Sequence, residues 1–353
     1  MTCHYDIGAI VRAGQYGGLY RLVRRIADGA SGFVFEADDF GADERVALKL
    51  FRMGVVSFEH MGPECAALQT LAHPGIVRVR SYGVTRDSLR IPYIVMPLLK
   101  GASLRTTLNE HGALPLERAI DYGIEMFFAL EHAHAAGILH RDLRPSNVYL
   151  ERLAATVHRL VLVDFGLSID KTSRFLSAPT SMGHPAYAAP ELFYGHKPSV
   201  ATDLYAAGLV LFEMLTATHA LGEPSQDWAG VHYFSVPPSL TALVPAAPPA
   251  LAALVEALLS KVVHLRPASA EACAQALAAI QEDLLVPSPN PTTEDGVDSL
   301  LRHIGGPSPD EDTQVEPPSP SLLRRASGAD DTDKRSPPSS RNWPVSSPPV
   351  SSR

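Results

Sequence analysis

Apolar and polar positions follow two different rhythms along this chain, and the rhythm changes once. In the first third, short runs at 20–26, 32–37 and 45–51 alternate or are continuously apolar, with Gly/Asp turns between them. That is the mark of strands in a sheet with at least one buried face. One helical stretch at 63–71 interrupts them, with Ala67, Leu68 and Leu71 on one side. Beyond residue 97 the spacing lengthens to that of helices. Residues 116–136 carry a stripe through Ile120, Ile124, Phe127, Phe128 and Leu130, which reads as core, and 199–216, 249–260 and 269–285 follow. A strand-rich part followed by a helix-rich part predicts an α+β arrangement of two lobes with a cleft where they meet. The expected units are a leader at 1–17, one domain at 18–285 with lobes at about 18–96 and 97–285, and a tail at 286–353.

The tail differs from the rest in kind. It has 13 Pro and 13 Ser in 68 residues, and isolated pairs such as Leu300-Leu301 and Leu322-Leu323 cannot build a core. The expectation is a disordered segment, available to bind other proteins. The whole chain carries a net charge of −8 with a pI near 5.9, which points away from nucleic acid. Cys3, Cys65 and Cys273 are scattered, with no metal or disulfide spacing, as expected for a reducing, cytoplasmic compartment. No apolar run approaches the ~18–20 residues of a membrane span. The longest, 206–215, is broken by Glu213. The first residues lack the basic-then-apolar layout of a signal peptide.

Chemistry enters with four clusters. Residues 27–34, Ala-Asp-Gly-Ala-Ser-Gly-Phe-Val, form a glycine-rich turn between two strands. Such a turn lets backbone N–H groups approach phosphate oxygens, although most glycines in hairpins serve only the turn. Lys49 ends Val46-Ala47-Leu48-Lys49, and an ammonium inside an apolar strand needs a partner. Either it escapes to solvent at a strand edge or it is aimed at phosphates and held by a carboxylate, for which Glu64 is the natural choice. The polar run His140-Arg141-Asp142-Leu143-Arg144-Pro145-Ser146-Asn147 leads into apolar 148–150, and Val163-Asp164-Phe165-Gly166 ends another apolar run. Burying so many polar groups is costly unless ligands or hydrogen bonds satisfy them. Asn147 and Asp164 offer two hard oxygens suited to Mg²⁺, and Asp142 stays free to accept a hydroxyl proton.

Taken in order, these motifs resemble a protein kinase domain of the eukaryotic-like (Hanks) Ser/Thr type, as found in bacteria. Ala189-Pro190-Glu191, Asp203 with Gly208, and Arg266-Pro267 extend the resemblance over about three quarters of the chain. It implies the bilobal kinase fold, ATP and Mg²⁺ as cofactors, and Ser/Thr side chains of proteins as acceptors. It implies that Lys49 holds the α/β-phosphates and is fixed by Glu64, that Asn147 and Asp164 hold Mg²⁺, and that Asp142 orients the attacking hydroxyl. Arg144 takes the place of a lysine that contacts the γ-phosphate, with a planar fork in place of a point charge. The nucleotide site would comprise Ala27, Gly29, Gly32, Val34, Ala47, Lys49, Met96, Pro97, Leu99 and Tyr149.

Four departures from the family pattern stand out. Ala27 replaces the first glycine of the loop. Gly62-Pro63 stands directly before Glu64 and predicts a late helix start, with Pro63 in the first turn. His184 replaces the threonine of the family's Gly-Thr-Pro, together with the Lys-to-Arg change at Arg144. Ser146 stands where kinases that prefer basic substrates carry Glu. Arg141, beside Asp142, implies autophosphorylation within 168–182, with Ser177, Thr180 and Ser181 foremost; the alternative is that backbone carbonyls or acidic side chains satisfy Arg141 and the loop is ordered without modification. Arg324-Arg325-Ala326-Ser327 reads as a target of another kinase or as chance. His132 and His134 read as surface or packing residues. Two rivals stay open at this stage. One is a pseudokinase-like nucleotide-binding or scaffold protein with little turnover, although no key residue is lost. The other is a small-molecule phosphotransferase, which would lack the Ala189-Pro190-Glu191 segment.

Overall fold

The computed structural model describes residues 5–13, 18–166, 183–222 and 225–285. Six strands form an antiparallel sheet: β1 (Ile10–Arg12), β2 (Leu19–Asp28), β3 (Gly32–Asp39), β4 (Glu44–Phe51), β5 (Ser81–Val84) and β6 (Pro92–Pro97), in the order β1-β2-β3-β4-β6-β5. The period of two along β4 divides its side chains between two cores. Val46, Leu48 and Leu50 join Leu22, Phe35, Tyr93 and Val95 on one face. Ala47 and Phe51 join Ile94, Met96 and helix α1 (Phe58–Thr70) on the other. Lys49 shares that second face, which is the one turned toward the rest of the molecule. Both faces are covered, so β4 reads as a continuous apolar run.

Two expectations about this lobe need correction. The leader expected at 1–17 is not separate from the domain: β1 pairs with β2 in the register Val11↔Tyr20, and Val11 and Ala13 are buried in the sheet's own core. A three-residue strand is too short to announce itself in sequence. Helix α1 does not start late either. It begins at Phe58, with Pro63 inside it. Proline cannot donate to the carbonyl of Glu59 one turn back, which costs an interior helix about 3 kcal/mol. Full burial of Met61 in the first turns, with Cys65 and Leu68 behind it, offsets that cost.

The second lobe begins with β7 (Gly101–Ser103), which pairs with β8 (Val148–Arg152) and β9 (His158–Leu162) in a three-stranded sheet. Around it lie α2 (Leu104–His111), α3 (Leu116–Ala135), α4 (Val200–Thr216), α5 (Trp228–Phe234), α6 (Leu240–Leu243), α7 (Pro249–Leu258) and α8 (Ala270–Leu285). Helix α4 is buried on every side from Thr202 to Leu215, which is why its sequence is apolar all round. Asp203 and Glu213 are its two acidic residues, and both are buried with partners. The helix predicted at 116–136 is α3, but its stripe is narrower than expected. Phe127 is fully buried, whereas Phe128 is 45% exposed and faces away from the core. At 100° per residue, Met126, Phe127, Ala129 and Leu130 share one buried arc of the helix, and Phe128 falls opposite it. The 286–353 tail lies outside the described residues. No helix among the described residues is long and apolar enough to cross a membrane.

Candidate active site

The glycine-rich turn closes a tight hairpin between β2 and β3. Gly29 and Gly32 exchange main-chain hydrogen bonds at 2.9 and 3.3 Å. Gly32 must be glycine, because a Cβ there would lie 2.3 Å from the Leu50 carbonyl oxygen across the sheet. Arg52 ties the turn down by donating to the Gly29 carbonyl at 3.1 Å and pairing with Asp28, and its guanidinium lies 4.2 Å from the Phe33 ring centre. Val34 sits opposite Lys49 in the β3–β4 register, and Ala47 opposite Met96 in the β4–β6 register. Pro97 ends β6. Tyr149 on β8 donates from its hydroxyl to the Gly101 carbonyl at 2.8 Å, beside Leu99.

The loop at residues 140–147 is fixed from below. Both carboxylate oxygens of Asp203 accept main-chain N–H groups, from His140 at 2.7 Å and Arg141 at 2.9 Å. A third bond joins Asp203 to the His134 ring at 2.9 Å. Burial works against this charge, but the His134 bond, the nearby His134 and His140 rings and the Arg141 N–H hold the carboxyl below its usual range. The clamp matters because Arg141 has φ +63°, a left-handed conformation costing a non-glycine residue ~1–3 kcal/mol. His134 is therefore neither a surface residue nor mere packing. Its partner lies 69 positions away in sequence, beyond any local pattern.

Asp142 is held by the groups around it. Asn147 donates through Nδ2 to the Asp142 carboxylate at 2.9 Å and to its carbonyl at 2.7 Å. The His184 main-chain N–H reaches the other carboxylate oxygen at 2.9 Å, and Arg144 lies 3.6 Å away. Gly183, just before, has φ +72°, and a Cβ there would meet the Arg141 carbonyl oxygen at 2.4 Å. His184 thus approaches Asp142 through its backbone, while its ring accepts from the Ala186 N–H at 3.3 Å and leans edge-on against Tyr187. Burial and Arg144 push the imidazole below its ordinary pKa, so it is neutral near pH 7.

Asp164 also sits at positive φ, +57°. Phe165 packs on the fully buried His140 ring with centroids 4.5 Å apart, and the Gly166 N–H donates to the His140 carbonyl at 2.8 Å. The 140–147 and 163–166 segments are therefore locked to each other. Lys49 is buried and pairs with Asp164 at 2.8 Å. The expected Lys49–Glu64 pair is not formed. Glu64 instead takes the Arg141 guanidinium at 3.0 Å. Sequence could not separate these outcomes, since either cation satisfies the carboxylate and α1's position decides which is within reach.

Two further networks support the loop at 183–194. Arg266 makes a two-pronged ion pair with Glu191 at 2.7 and 2.8 Å, as the resemblance implied, with the arginine side chain fully buried. Tyr187 bonds both Arg105 on α2 and Glu213 on α4, and burial followed by Glu213 raises its pKa. His232 and His219 donate from their Nε2–H groups to the Pro185 and Ala186 carbonyls, at 3.0 and 2.9 Å, on the underside of the same loop. None of Arg105, His219 or His232 was singled out in sequence, because each matters only through residues distant in the chain.

The donor set suits a small hard cation. Asn147 spends its Nδ2 on Asp142, which leaves its carbonyl oxygen as the free end, and Asp164 adds a carboxylate. Residues 20–278 match the family described as the protein kinase domain, and the chain belongs to that family. PknA of Mycobacterium tuberculosis, a serine/threonine-protein kinase, is 33% identical over 293 residues, covering 79% of this chain and 65% of PknA. The DNA damage-responsive serine/threonine-protein kinase RqkA of Deinococcus radiodurans is 33% identical over 273 residues, covering 76% of this chain and 40% of RqkA. This chain thus spans less than two thirds of the length of these relatives. The PknI kinase domain of M. tuberculosis shares the fold, with a TM-score of 0.61 over 78% of this chain and 99% of that one at 22% identity.

Proposed function

We propose that this chain is a Mg-ATP-dependent serine/threonine protein kinase that transfers the γ-phosphoryl group to protein hydroxyls. The observation that carries the reading is the convergence of Lys49, Asp142, Asn147 and Asp164 from β4, the catalytic loop and the segment after β9. Phosphoryl transfer demands positioning and charge neutralisation more than covalent chemistry, and this set supplies both. Asp142, oriented by Asn147 and the His184 N–H, accepts the proton of the attacking hydroxyl. Arg144 balances charge at the γ-phosphate. Asn147 and Asp164 would hold Mg²⁺, whose contribution is to neutralise the β- and γ-oxygens. Lys49 then exchanges Asp164 for the α/β-phosphates, and adenine lies between Val34, Ala47 and Tyr149, with its edge along Pro97 and Leu99.

Regulation belongs to the same proposal. With Glu64 on Arg141, its carboxylate is not paired with Lys49. A phosphate on residues 168–182, which lie outside the described residues, carries about −1.5 to −2 charge and competes for Arg141. Glu64 is then released to Lys49. Two free, buried cysteines, Cys65 and Cys273, fit a cytoplasmic setting. The test is purified protein with Mg²⁺ and labelled ATP, with and without a generic protein substrate, beside Asp142→Asn. Label on protein that vanishes in the variant is expected. Label only on small molecules, or equal label in both proteins, overturns the reading.

A further inference from the structure

Away from every residue of the site above, a groove of about 640 Å³ runs between the loop after α1, the C-terminal half of α3 and the start of α8. Its apolar wall is Phe128, 45% exposed, with Pro74 and Ala135 beside it. Its rim is acidic. Glu125 is fixed by accepting the Leu160 N–H at 2.6 Å, and Glu131 by accepting the Glu271 N–H at 3.1 Å, so these carboxylates cannot swing away freely. Glu271 itself faces the groove. The one arginine there, Arg159, is already spent on Glu151. His73 and His132 stack at 5.2 Å, and burial followed by His132 lowers the His73 pKa, so the His73 ring does not offset the carboxylates. An exposed aromatic rimmed by fixed negative charge fits a short apolar segment followed by two cations.

We infer that the groove is the docking site of this chain's own Leu322-Leu323-Arg324-Arg325, with the leucines on Phe128 and the arginines on Glu131 and Glu271. Charge selects this segment over the other leucine pair in the tail. Leu300-Leu301 is followed by a single arginine and preceded by Glu294, Asp295 and Asp298, whereas the nearest acid after Arg325 is Asp330. Reach permits it. Glu131 of α3 bonds Glu271 and Asp121 bonds Gln281, so the two helices run antiparallel and α8 ends one helix length from the groove. That length is ~21 Å, and the ~36 residues between Leu285 and Leu322 can extend to ~120 Å. A tethered ligand works at an effective concentration near ~1 mM, so a small contact suffices. Ser327 lies two positions past the arginines, and a phosphate there would cancel their charge beside the acidic rim. The Arg-Arg-Ala-Ser motif thereby acquires a role as the release point of the contact.

The test uses the full chain with Phe128 replaced by the photo-crosslinker p-benzoylphenylalanine. Irradiation is expected to join position 128 to the peptide around Leu322 within a single chain. Arg324→Glu with Arg325→Glu, and separately Ser327→Asp, should lower that yield tenfold or more. Hydrogen exchange of the otherwise unaltered chain gives a second readout: the amides of His73, Gly75 and 128–135 should lose protection equally in the charge-reversed chain and in a chain ending at Leu285. Crosslinks to a second copy, crosslinks to another segment, or a yield indifferent to the arginine reversal each overturn the assignment.

Discussion

Arg141 holds Glu64 at 3.0 Å while Lys49 holds Asp164 at 2.8 Å. Four charges of the site are thus paired in a way that neutralises each but leaves Glu64 and Lys49 apart. The arrangement is internally satisfied and needs an outside anion to change it.

The first prediction concerns that exchange. In Arg141→Gln, Glu64 loses its competing cation. Activity after phosphatase treatment should then approach that of the phosphorylated enzyme, where the unaltered protein should differ by about tenfold, within the usual range of coupling between sites. The measurement is kcat/KM before and after phosphatase, with peptide mass spectrometry of 168–182 against Asp142→Asn. An unchanged phosphate dependence in Arg141→Gln would remove the switch.

Lys49→Met should lower kcat/KM by about 10²–10³-fold, the scale of losing one preorganised charge at a transition state. The fold should survive, because methionine fills the buried place of Lys49 with apolar atoms and the Asp164 carboxylate left behind keeps a third of its side chain in solvent. Thermal unfolding beside steady-state kinetics separates the two effects.

Arg266→Ala strands Glu191 with little solvent and no counter-charge. A loss of about 3–5 kcal/mol is expected by urea unfolding. Arg266→Met combined with Glu191→Leu should lose clearly less, because no charge is then buried alone. Equal losses would mean that packing on Tyr205 outweighs the ion pair.

Acid should destabilise the protein through its buried histidines. Burial pushes His232 down to about 3, with Lys261 adding to the effect. Below an unfolded-state pKa of about 6.5, the unfolded chain binds a proton that the folded chain refuses. The contribution is therefore complete above pH 6.5 and is lost as pH falls from there toward 3. Between pH 7 and 5, one such group accounts for about 2 kcal/mol. His232→Gln should lose about that much less than the unaltered protein over the same interval. An identical pH dependence would show that His232 does not titrate this way.

A chain ending at Leu285 should keep its basal turnover within about twofold. The candidate site residues all precede α8, and among the described residues the buried cores run from Val11 to Ile280. Loss of turnover would mean that the tail reaches the cleft as well as the groove on α3.

The two-lobed plan was legible in the sequence because it rests on local physics. Period-two runs made β2–β4, period-3.6 stripes made α3, α7 and α8, and each key motif stands at the end of an apolar run. The residue types at 49, 142, 147 and 164 were equally plain, since polar groups entering a core must have a purpose. What tertiary structure alone decided was which charge meets which. Glu64 has two candidate cations, and where α1 lies decides which one it reaches; Pro63 misrepresented the start of that helix because burial of Met61 outweighs a missing hydrogen bond. His134 reaches Asp203, and Arg105 reaches Glu213, across gaps that no periodicity spans. Phe128 looked like core until packing decided which arc of α3 is buried, the one through Phe127 and Leu130. Strand and helix are set by neighbours in sequence, whereas ion pairs and grooves are set by neighbours in space.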